Sequence, residues 1–538
     1  MTTPEWTLRE PSSALGDAYH RAGWWNDDSL GQLVERGMRG APHTPVRIWS
    51  ATRPWQGTLG ELLDGSYRFA VGLRHLGVRS GDVVAMQLPN WIEGAITWFA
   101  ASMLGVVVVP VVHYYGAREL AFILGESRAQ IFVTTNRFGS VDYLANLEAV
   151  RRDLDALEHV IVVGDDRPAS ATGFDDLMAH DRLEAAVTVD PASPALIAYT
   201  SGTTAHPKGV IQSQRAIGAE VRAHLPVLIP PRRRPVLLGA PISHATGMLL
   251  GLLLPASRGE PIQLIDSWDP PTVLDAMLTD DLSAGSGATV FLTSLLDHPA
   301  FTDDHRARME SVVLGGSSVP TTIAATAEAQ GIGVVRSYGL TEMPTVTGAA
   351  PDDDARLRVS TDGHGLPGVE IRILAPAGEP GEIVTRGPDL FSGYTDATLT
   401  AEYLDRDGWF STGDVGVLDD GWLTITDRTK DVIIRNGVNI SPAEVENALL
   451  QLPAIAEVAV VGRPDPRTGE RAVAVVRAPT DVPAPDLAEV RRHLDAIGLG
   501  KPKWPEEVRI VDDFPRTAAG KIKKFELRAD LRAELRDE

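Results

Sequence analysis

The stretch Tyr199-Thr-Ser-Gly-Thr-Thr-Ala-His-Pro-Lys-Gly209 is the part of this sequence that most strongly indicates the fold. It follows an apolar run, residues 195–199, that predicts a buried strand. The glycines allow backbone N–H groups to approach phosphate oxygens, the hydroxyls donate further hydrogen bonds, and Lys208 adds a positive charge. Lys208 is followed by Gly209 rather than by Ser or Thr, so the stretch is not a Walker A loop. The alternative interpretation is a flexible surface loop.

Short apolar runs alternate with helical patterns on both sides of this loop. The predicted strands are Val83–Gln87, Val106–Val109, Ile131–Thr134, Val160–Val163, Ala195–Tyr199 and Val334–Arg336. The predicted helices include Leu59–Leu76 and Ala117–Leu124. This alternation predicts an α/β fold in which helices cover parallel sheets.

The pattern changes from about residue 357 to short strands separated by Gly-rich turns. The predicted strands there are Val369–Leu374, Gly381–Thr385, Val415–Leu418 and Leu423–Ile425. They predict a small, mostly antiparallel β unit. We therefore expect a large domain at residues 1–429, β-rich from about 357, and a small α+β domain at residues 430–538.

Composition excludes several classes of protein. The chain has 538 residues and a net charge of −22, which disfavours nucleic acids and anionic membrane surfaces as partners. It has no cysteine, which excludes disulfides, thiolate metal sites and a cysteine nucleophile and is consistent with a cytoplasmic location. The N-terminal residues lack the apolar run of a signal peptide. Residues 95–112 carry no charge, but Gly105 and Pro110 interrupt them, so we expect a buried helix followed by a buried strand rather than a membrane span.

Five further motifs follow the first stretch along the chain. They are Gly315-Gly-Ser317 with Ser337-Tyr-Gly-Leu-Thr-Glu-Met343, Trp409-Phe-Ser-Thr-Gly-Asp414, Asp427-Arg-Thr-Lys-Asp431, Arg435-Asn-Gly-Val-Asn-Ile-Ser-Pro442 and Pro515-Arg-Thr-Ala-Ala-Gly-Lys521. A carboxylate such as that of Glu342 is an oxygen ligand of the kind that Mg²⁺ prefers. Ser441, Pro442 and Glu444 also predict a capping box at the start of a helix.

The motifs in this order resemble those of the adenylate-forming superfamily, which includes acyl-CoA synthetases, aryl-CoA ligases, luciferases and nonribosomal adenylation domains. The resemblance extends from Thr200 to Lys521, about three-fifths of the chain. Most members have Gly where this chain has Ala205. Arg336 precedes Ser337 and Tyr338. An arginine at this position resembles the branch of the superfamily that contains cyclohexanecarboxylate-CoA ligases and mycobacterial-type fatty-acyl-CoA ligases.

The resemblance implies a role for each matching residue. Phosphate contacts come from Thr200, Ser201, Gly202, Thr203, Thr204, Lys208 and Thr341. The adenine pocket is formed by Gly315, Gly316, Ser317, Ser337, Tyr338 and Gly339, and the ribose is held by Asp414 and Arg428. Glu342 holds Mg²⁺, Lys430 is the hinge, Gly437 borders the tunnel for the pantetheine arm, and Lys521 is the catalytic lysine.

The implied activity is a pair of displacements that use ATP, Mg²⁺ and CoA. A carboxylate attacks the α-phosphate of ATP with loss of pyrophosphate, and the CoA thiol then attacks the acyl adenylate. The rival interpretations are a free-standing enzyme that loads a carrier protein, a luciferase-like oxidase, and a noncatalytic nucleotide-binding protein. The last is disfavoured because both Glu342 and Lys521 are present.

The class of acid is indicated by the residues around Ser243-His244. His244 lies where many acyl-CoA ligases have a residue of the carboxylate pocket, although a lone histidine is more often structural. Relatives that activate amino acids place an Asp near this site, and Pro241–Met248 contains none. Together with the apolar run Met248–Leu254, this favours a fatty, alicyclic or similar acid. We expect Arg232-Arg-Arg234 to be a solvated loop, with a contact to CoA phosphate as the alternative.

Overall fold

The computed structural model describes residues 6–200, 207–231, 234–316, 319–428, 431–435, 438–465, 468–497, 499, 501–516 and 521–537. Within these residues the chain forms four larger β-sheets and many covering helices. The predicted α/β class is therefore confirmed.

The strand before the phosphate-binding stretch lies in an eight-stranded sheet. The strands in spatial order are Gly393–Tyr394, Lys208–Ser213, Pro194–Thr200, Val107–Pro110, Val83–Met86, Ile131–Thr135, His159–Val163 and Thr172–Gly173. The six strands from Pro194–Thr200 onward pair in parallel. The predicted strands of this region are confirmed to within two residues at each end, because each is an apolar run buried by helices on both faces.

A second sheet has five strands and lies on the other side of the helices. Its strands in spatial order are Ser283–Ala284, Val236–Leu238, Ile262–Ile265, Pro45–Trp49 and Trp55–Thr58. The helices Leu30–Gly40, Leu59–His75 and Ile92–Leu104 pack in one apolar core with residues of both sheets. Val46 and Leu264 of the second sheet and Val108 of the first belong to this core, so the two sheets are joined without a water-filled gap.

The third sheet joins the antiparallel strands after residue 357 to earlier strands of the chain, a connection that the sequence did not predict. Its strands in spatial order are Ser311–Leu314, Gly333–Tyr338, Thr347–Gly348, His364–Gly365, Trp422–Arg428, Phe410–Asp419, Gly381–Arg386 and Glu370–Leu374. The antiparallel strands after residue 357 are therefore not a separate unit: they continue a sheet that begins with a parallel pair at residues 311–314 and 333–338. Sequence patterns missed this because Thr347–Gly348 and His364–Gly365, which make the connection, are two-residue strands.

The last sheet is formed by the C-terminal part of the chain. Its strands are Val438–Ile440, Ile433–Arg435, Gly469–Arg477, Glu457–Asp465 and Glu507–Ile510. The helices of this part are Pro442–Leu449, Leu487–Ala496 and Lys524–Asp537. They cover the sheet with two apolar clusters, one around Val460 and one around Val461, because neighbouring strand residues point to opposite faces. The boundary after residue 429 stays a prediction.

The remaining helices cover the larger sheets. They are Ser13–Arg21, Ala117–Ser127, Tyr143–Val150, Phe174–Met178, Pro270–Thr279, Thr289–Leu296, Asp303–Arg306, Thr321–Ala329, Ala355–Ser360 and Ala397–Tyr403. Two longer helical runs contain wide π-type turns, at Glu220–His224 within residues 214–228 and at Gly247–Leu253 within residues 247–258. Such turns are often found at functional sites.

The uncharged run at residues 95–112 has the predicted arrangement. It forms the end of the buried helix Ile92–Leu104, a left-handed turn at Gly105 with φ of 66°, and the buried strand Val107–Pro110. Across the described part of the chain, helices of the length and apolarity that a membrane crossing requires are absent.

Candidate active site

The two ends of the phosphate-binding stretch lie side by side. Thr200 ends one strand, Lys208 begins the next, and the two residues pair across the antiparallel ladder. The Lys208 N–H donates to the Thr200 hydroxyl oxygen at 3.4 Å. Thr200 and Lys208 therefore lie near the edge of the large sheet, where Gly393–Tyr394 is the last strand.

The ammonium of Lys208 lies in an aromatic cage. It is 3.8 Å from the ring centroid of Tyr403 and 5.3 Å from that of Tyr394. An ammonium over aromatic faces is stabilised by the ring quadrupoles and stays available to an anion on its open side.

Glu342 is a buried carboxylate held in place by hydrogen bonds. The Tyr394 hydroxyl donates to its Oε1 at 2.6 Å, and Gln212 Nε2 donates to the backbone carbonyls of Thr341 and Glu342 at 2.9 and 3.2 Å. Burial raises the pKa of Glu342, while the Tyr394 hydrogen bond and the charge of Lys208 oppose the rise. The carboxylate is thus oriented beside the positive charge expected to meet phosphate.

Tyr338 and Arg428 hold Asp414 from two sides. The Tyr338 hydroxyl donates to Oδ2 at 2.7 Å, and Arg428 Nε lies 3.0 Å from Oδ1. Asp414 is buried, whereas the Arg428 side chain is about half exposed. The sequence placed these three residues in three separate motifs, and the structure brings them together.

Glycines make room where the strands of the third sheet end. Gly315 follows the strand Ser311–Leu314, and a Cβ on it would lie 2.6 Å from the Ser337 hydroxyl. Gly316 has φ of +75°, a left-handed conformation that favours glycine. At Gly339 a Cβ would collide with the backbone of Pro344. These positions keep the backbone surface open beside Tyr338, where the sequence predicts the adenine pocket.

His244 and Lys521 belong to the same electrostatic neighbourhood. The pKa of His244 is lowered to about 4, chiefly because surrounding protein removes solvation and secondarily because Lys521 repels a second positive charge. The pKa of Lys521 is lowered to about 8 by desolvation and by Arg428, while Asp414 opposes the fall. Both side chains retain contact with solvent. At neutral pH the imidazole is uncharged and Lys521 is mostly protonated.

Two arginines that the sequence singled out make structural ion pairs. Arg336 is buried, and it donates to Asp362 at 2.6 Å and to the Val359 carbonyl at 2.7 Å. These bonds stabilise the strand Gly333–Tyr338, which contains it. Arg234 lies 2.8 Å from Asp281 and 3.4 Å from Glu310. It therefore makes ion pairs with two carboxylates of the protein.

The predicted capping box at Ser441 is only half formed. Ser441 Oγ accepts from the Glu444 N–H at 3.2 Å, so the helix cap is confirmed. The prediction of the second hydrogen bond of the box, from the Ser441 N–H to the Glu444 carboxylate, is wrong. The Glu444 carboxylate instead pairs with Lys503 at 2.6 Å. A lysine distant in sequence offers the carboxylate a charged partner that the local motif cannot reveal.

Sequence analysis missed Gln212, Tyr394 and Tyr403. Gln212 lies within a strand and the two tyrosines lie near the phosphate-binding stretch only in space. The sequence context of Tyr394, Pro388-Asp-Leu-Phe-Ser-Gly-Tyr-Thr395, has no motif that would have singled it out. Several predicted residues lie outside the described residues: Ser201, Gly202, Thr203, Thr204, Ser317, Lys430 and Gly437.

Comparison with known proteins identifies the family. Residues 34–395 match the AMP-binding enzyme model, and residues 444–521 match the AMP-binding enzyme C-terminal domain. The medium-chain fatty-acid–CoA ligase of Escherichia coli (strain K12) is 31% identical over 528 residues, which cover 96% of this chain and 93% of that protein. A feruloyl-CoA synthase of Amycolatopsis sp is 32% identical over 518 residues, which cover 93% of this chain and 99% of that protein.

A solved structure agrees with these relatives. ATP-bound MatB from Rhodopseudomonas palustris superposes with a TM-score of 0.83 at 27% identity, over 93% of this chain and 98% of that one. The chain therefore belongs to the AMP-binding enzyme family and is an AMP-forming acyl-CoA ligase. It uses a carboxylic acid, ATP and CoA, and loading of a carrier protein is the less supported alternative.

Proposed function

We propose that this ligase activates an acid with a neutral, apolar tail, and that Lys521 is the group that stabilises the first displacement. The proposal is supported by the electrostatic coupling of Lys521 to Arg428 and Asp414, which act on its pKa, and to His244, whose pKa it lowers. An ammonium between the nucleotide-binding side chains and the carboxylate pocket is suited to neutralising charge on the phosphates as the carboxylate attacks.

The other residues of the site have complementary roles in this proposal. Lys208 and the loop beginning at Thr200 bind the β- and γ-phosphates, and Thr341 adds a hydroxyl donor. Asp414 accepts from the ribose hydroxyls, and it is held for that purpose by Tyr338 and Arg428. The residues Lys430 and Gly437 are proposed as hinge and tunnel from the family resemblance alone.

The described residues also fit a Mg²⁺ ion. Glu342 offers a carboxylate that is already oriented by Tyr394 and lies within electrostatic reach of Lys208. When bound there, the ion would neutralise phosphate charge and favour departure of pyrophosphate. Tyr394 and Gln212 act on this site by positioning Glu342 and its loop.

Residues 241–248, around His244, include no carboxylate that could pair with an ammonium group. His244 is neutral at physiological pH, since its pKa is about 4. Thr246 lies close to the glycine turns at Gly287 and Gly316, and Phe291 packs beside Gly287 and 4.7 Å from the Trp268 ring centroid. This wall offers aromatic and backbone surface, which favours an apolar acid over an amino acid.

The acid series gives a direct test of the pocket. We expect kcat/KM to rise from acetate through medium-chain and cyclohexane or aromatic acids, by about 0.8 kcal/mol or fourfold per added CH₂, until the pocket is full. Steady-state kinetics with saturating ATP and CoA measure the series, with amino acids as controls. A best substrate that carries a free α-ammonium, or a flat series, would contradict the proposal.

The pH dependence tests the role of Lys521. We expect kcat/KM for ATP to fall above a pKa of about 8, roughly tenfold per pH unit, because the ammonium that attracts the phosphates loses its proton. Bound ATP raises this pKa, so the corresponding fall in kcat should appear at higher pH. The Lys521→Arg variant should lack the fall near pH 8, because arginine stays protonated. An unchanged fall in that variant would exclude Lys521 as its source.

The acceptor is tested with the same enzyme. ATP-to-AMP turnover should require CoA for multiple turnovers, and a phosphopantetheinylated carrier protein in its place should give much slower turnover. A cytoplasmic location stays a prediction from the sequence.

A further inference from the structure

A buried cluster of charged residues lies outside the residues assigned to the reaction. Glu220, His224 and Asp389 are all fully buried, and their ligand atoms lie within 4.8 Å of one another. Glu220 and His224 occupy the π-type turn of the helical run 214–228, and Asp389 follows the strand Gly381–Arg386 of the third sheet. Neither sequence motifs nor the proposed mechanism account for this cluster.

The Asp389 carboxylate is incompletely satisfied. Neither of its oxygens has a hydrogen-bond partner among the described residues, although the side chain has no exposure to solvent. A buried carboxylate in this condition is costly unless a cation or a proton compensates it. Its Oδ2 is directed at His224 Nδ1, 3.6 Å away.

The hydrogen bonds of His224 determine which nitrogen faces the cluster. Nε2 lies 2.9 Å from the Pro367 carbonyl oxygen, which can only accept, so Nε2 carries a proton and donates. Nδ1 faces Glu220 Oε2 at 3.0 Å and Asp389 Oδ2 at 3.6 Å. Histidines that ligate metals are oriented in this way, by donating the other ring N–H to a carbonyl.

The distances from His224 Nδ1 to the two carboxylates are compatible with one shared metal ion. Two atoms each about 2.1 Å from an ion at a tetrahedral angle lie about 3.4 Å apart. The observed separations of 3.0 and 3.6 Å lie on either side of this value. Without an ion, Asp389 and Glu220 raise the pKa of His224 despite its burial, and one imidazolium with two carboxylates carries a net negative charge. A divalent ion that replaces the Nδ1 proton would leave the buried cluster with no net charge.

We propose that Glu220, His224 and Asp389 form a structural site for a first-row divalent metal ion, with Zn²⁺ as the best match. One imidazole with two carboxylates is a donor set typical of zinc, whereas Mg²⁺ and Ca²⁺ prefer all-oxygen sites.

The site would connect four parts of the chain, one of which follows the loop that carries Thr341 and Glu342. Thr345, three residues after Glu342, donates its hydroxyl to Glu220 Oε1 at 2.5 Å. His224 is bound to Pro367, and Asp389 precedes the strand that contains Tyr394. An ion at this point would therefore stabilise the loop that carries Thr341 and Glu342 without contacting the nucleotide.

The test uses the full chain, prepared without a metal-binding tag and freed of metal with a chelator. Titration with ZnCl₂ in the absence of ATP and Mg²⁺ should give about one tightly bound equivalent per chain by elemental analysis. It should also raise the melting temperature by roughly 2–5 °C. Anomalous diffraction at the zinc edge should place the ion between His224 Nδ1 and the two carboxylates. Less than a tenth of an equivalent, or an anomalous peak elsewhere, would overturn the proposal and leave a shared proton as the occupant.

Variants supply an independent comparison. His224→Gln and Asp389→Asn should each lose the bound equivalent and the thermal shift. His305→Gln removes another buried histidine, which contacts Thr302 and the Leu274 carbonyl, and should keep both. Retention of zinc by a folded Asp389→Asn protein would contradict the assignment. If the two cluster variants do not fold, the wild-type titration and the anomalous map still decide the result.

Discussion

Lys521→Ala is expected to reduce acyl-adenylate formation by about 10²–10³-fold, the cost of removing one oriented group that stabilises charge in a transition state. The ammonium interacts with Asp414 and Arg428 at the nucleotide end of the cleft and with His244 at the acid end. In the proposed mechanism, this ammonium acts while pyrophosphate leaves and not while a thiol attacks a preformed adenylate. Single-turnover pyrophosphate release measures the first step, and acyl-CoA formation from synthetic acyl-AMP measures the second. Equal loss in both steps would contradict the assigned role.

Gly437→Trp is the matched control with the opposite expected pattern. By the family resemblance, a side chain at this position obstructs the approach of the CoA thiol, so pyrophosphate release should survive and transfer to CoA should fail. The two variants together separate loss of one half-reaction from general damage to the protein. Normal acyl-CoA formation by Gly437→Trp in a single turnover would show that the tunnel lies elsewhere.

Glu342→Gln is expected to lower kcat by about 10²–10³-fold and to raise the Mg²⁺ concentration needed for half-maximal rate. The amide has nearly the same shape as the carboxylate, so the buried environment is kept while the negative charge that the ion requires is removed. The Tyr394 hydrogen bond to Oε1 can still form, because the amide oxygen also accepts. Adenylation rates measured over a Mg²⁺ titration check the prediction.

Tyr394→Phe is the comparison that separates the ligand from the residue that positions it. Loss of one buried hydrogen bond to a charged group costs about 1.5–3 kcal/mol, so a decrease of roughly tenfold to a hundredfold is expected, together with a smaller change in the Mg²⁺ requirement. A Mg²⁺ dependence in Glu342→Gln that matches the wild-type enzyme would exclude the carboxylate as a ligand.

Local patterns in the sequence were sufficient for the strands and helices of the large sheets. Runs such as Ile131–Thr135 and Val107–Pro110 are buried on both faces, so their apolar character is continuous and can be recognised without the fold. The order of short motifs was sufficient for the family, since glycines, hydroxyls and charges that approach phosphate must lie on particular loops.

Contacts between distant segments could not be predicted in the same way. The link between the parallel and antiparallel parts of the third sheet depends on two-residue strands that have no sequence signal. The aromatic cage of Lys208 and the Tyr394 bond to Glu342 join residues that are 195 and 52 positions apart, respectively, because the strand Gly393–Tyr394 pairs with Lys208–Ser213.

The sequence by itself therefore determined the fold class and the enzyme family, and it predicted which residues meet ATP. Only the tertiary structure decided which side chains orient those residues, that His244 and Lys521 share one electrostatic environment, and that Glu220, His224 and Asp389 converge on one buried point. The physical reason is that strand-forming and phosphate-binding patterns are short-range properties of the chain. The pKa of a group and the coordination of an ion depend instead on atoms that folding brings within a few ångströms.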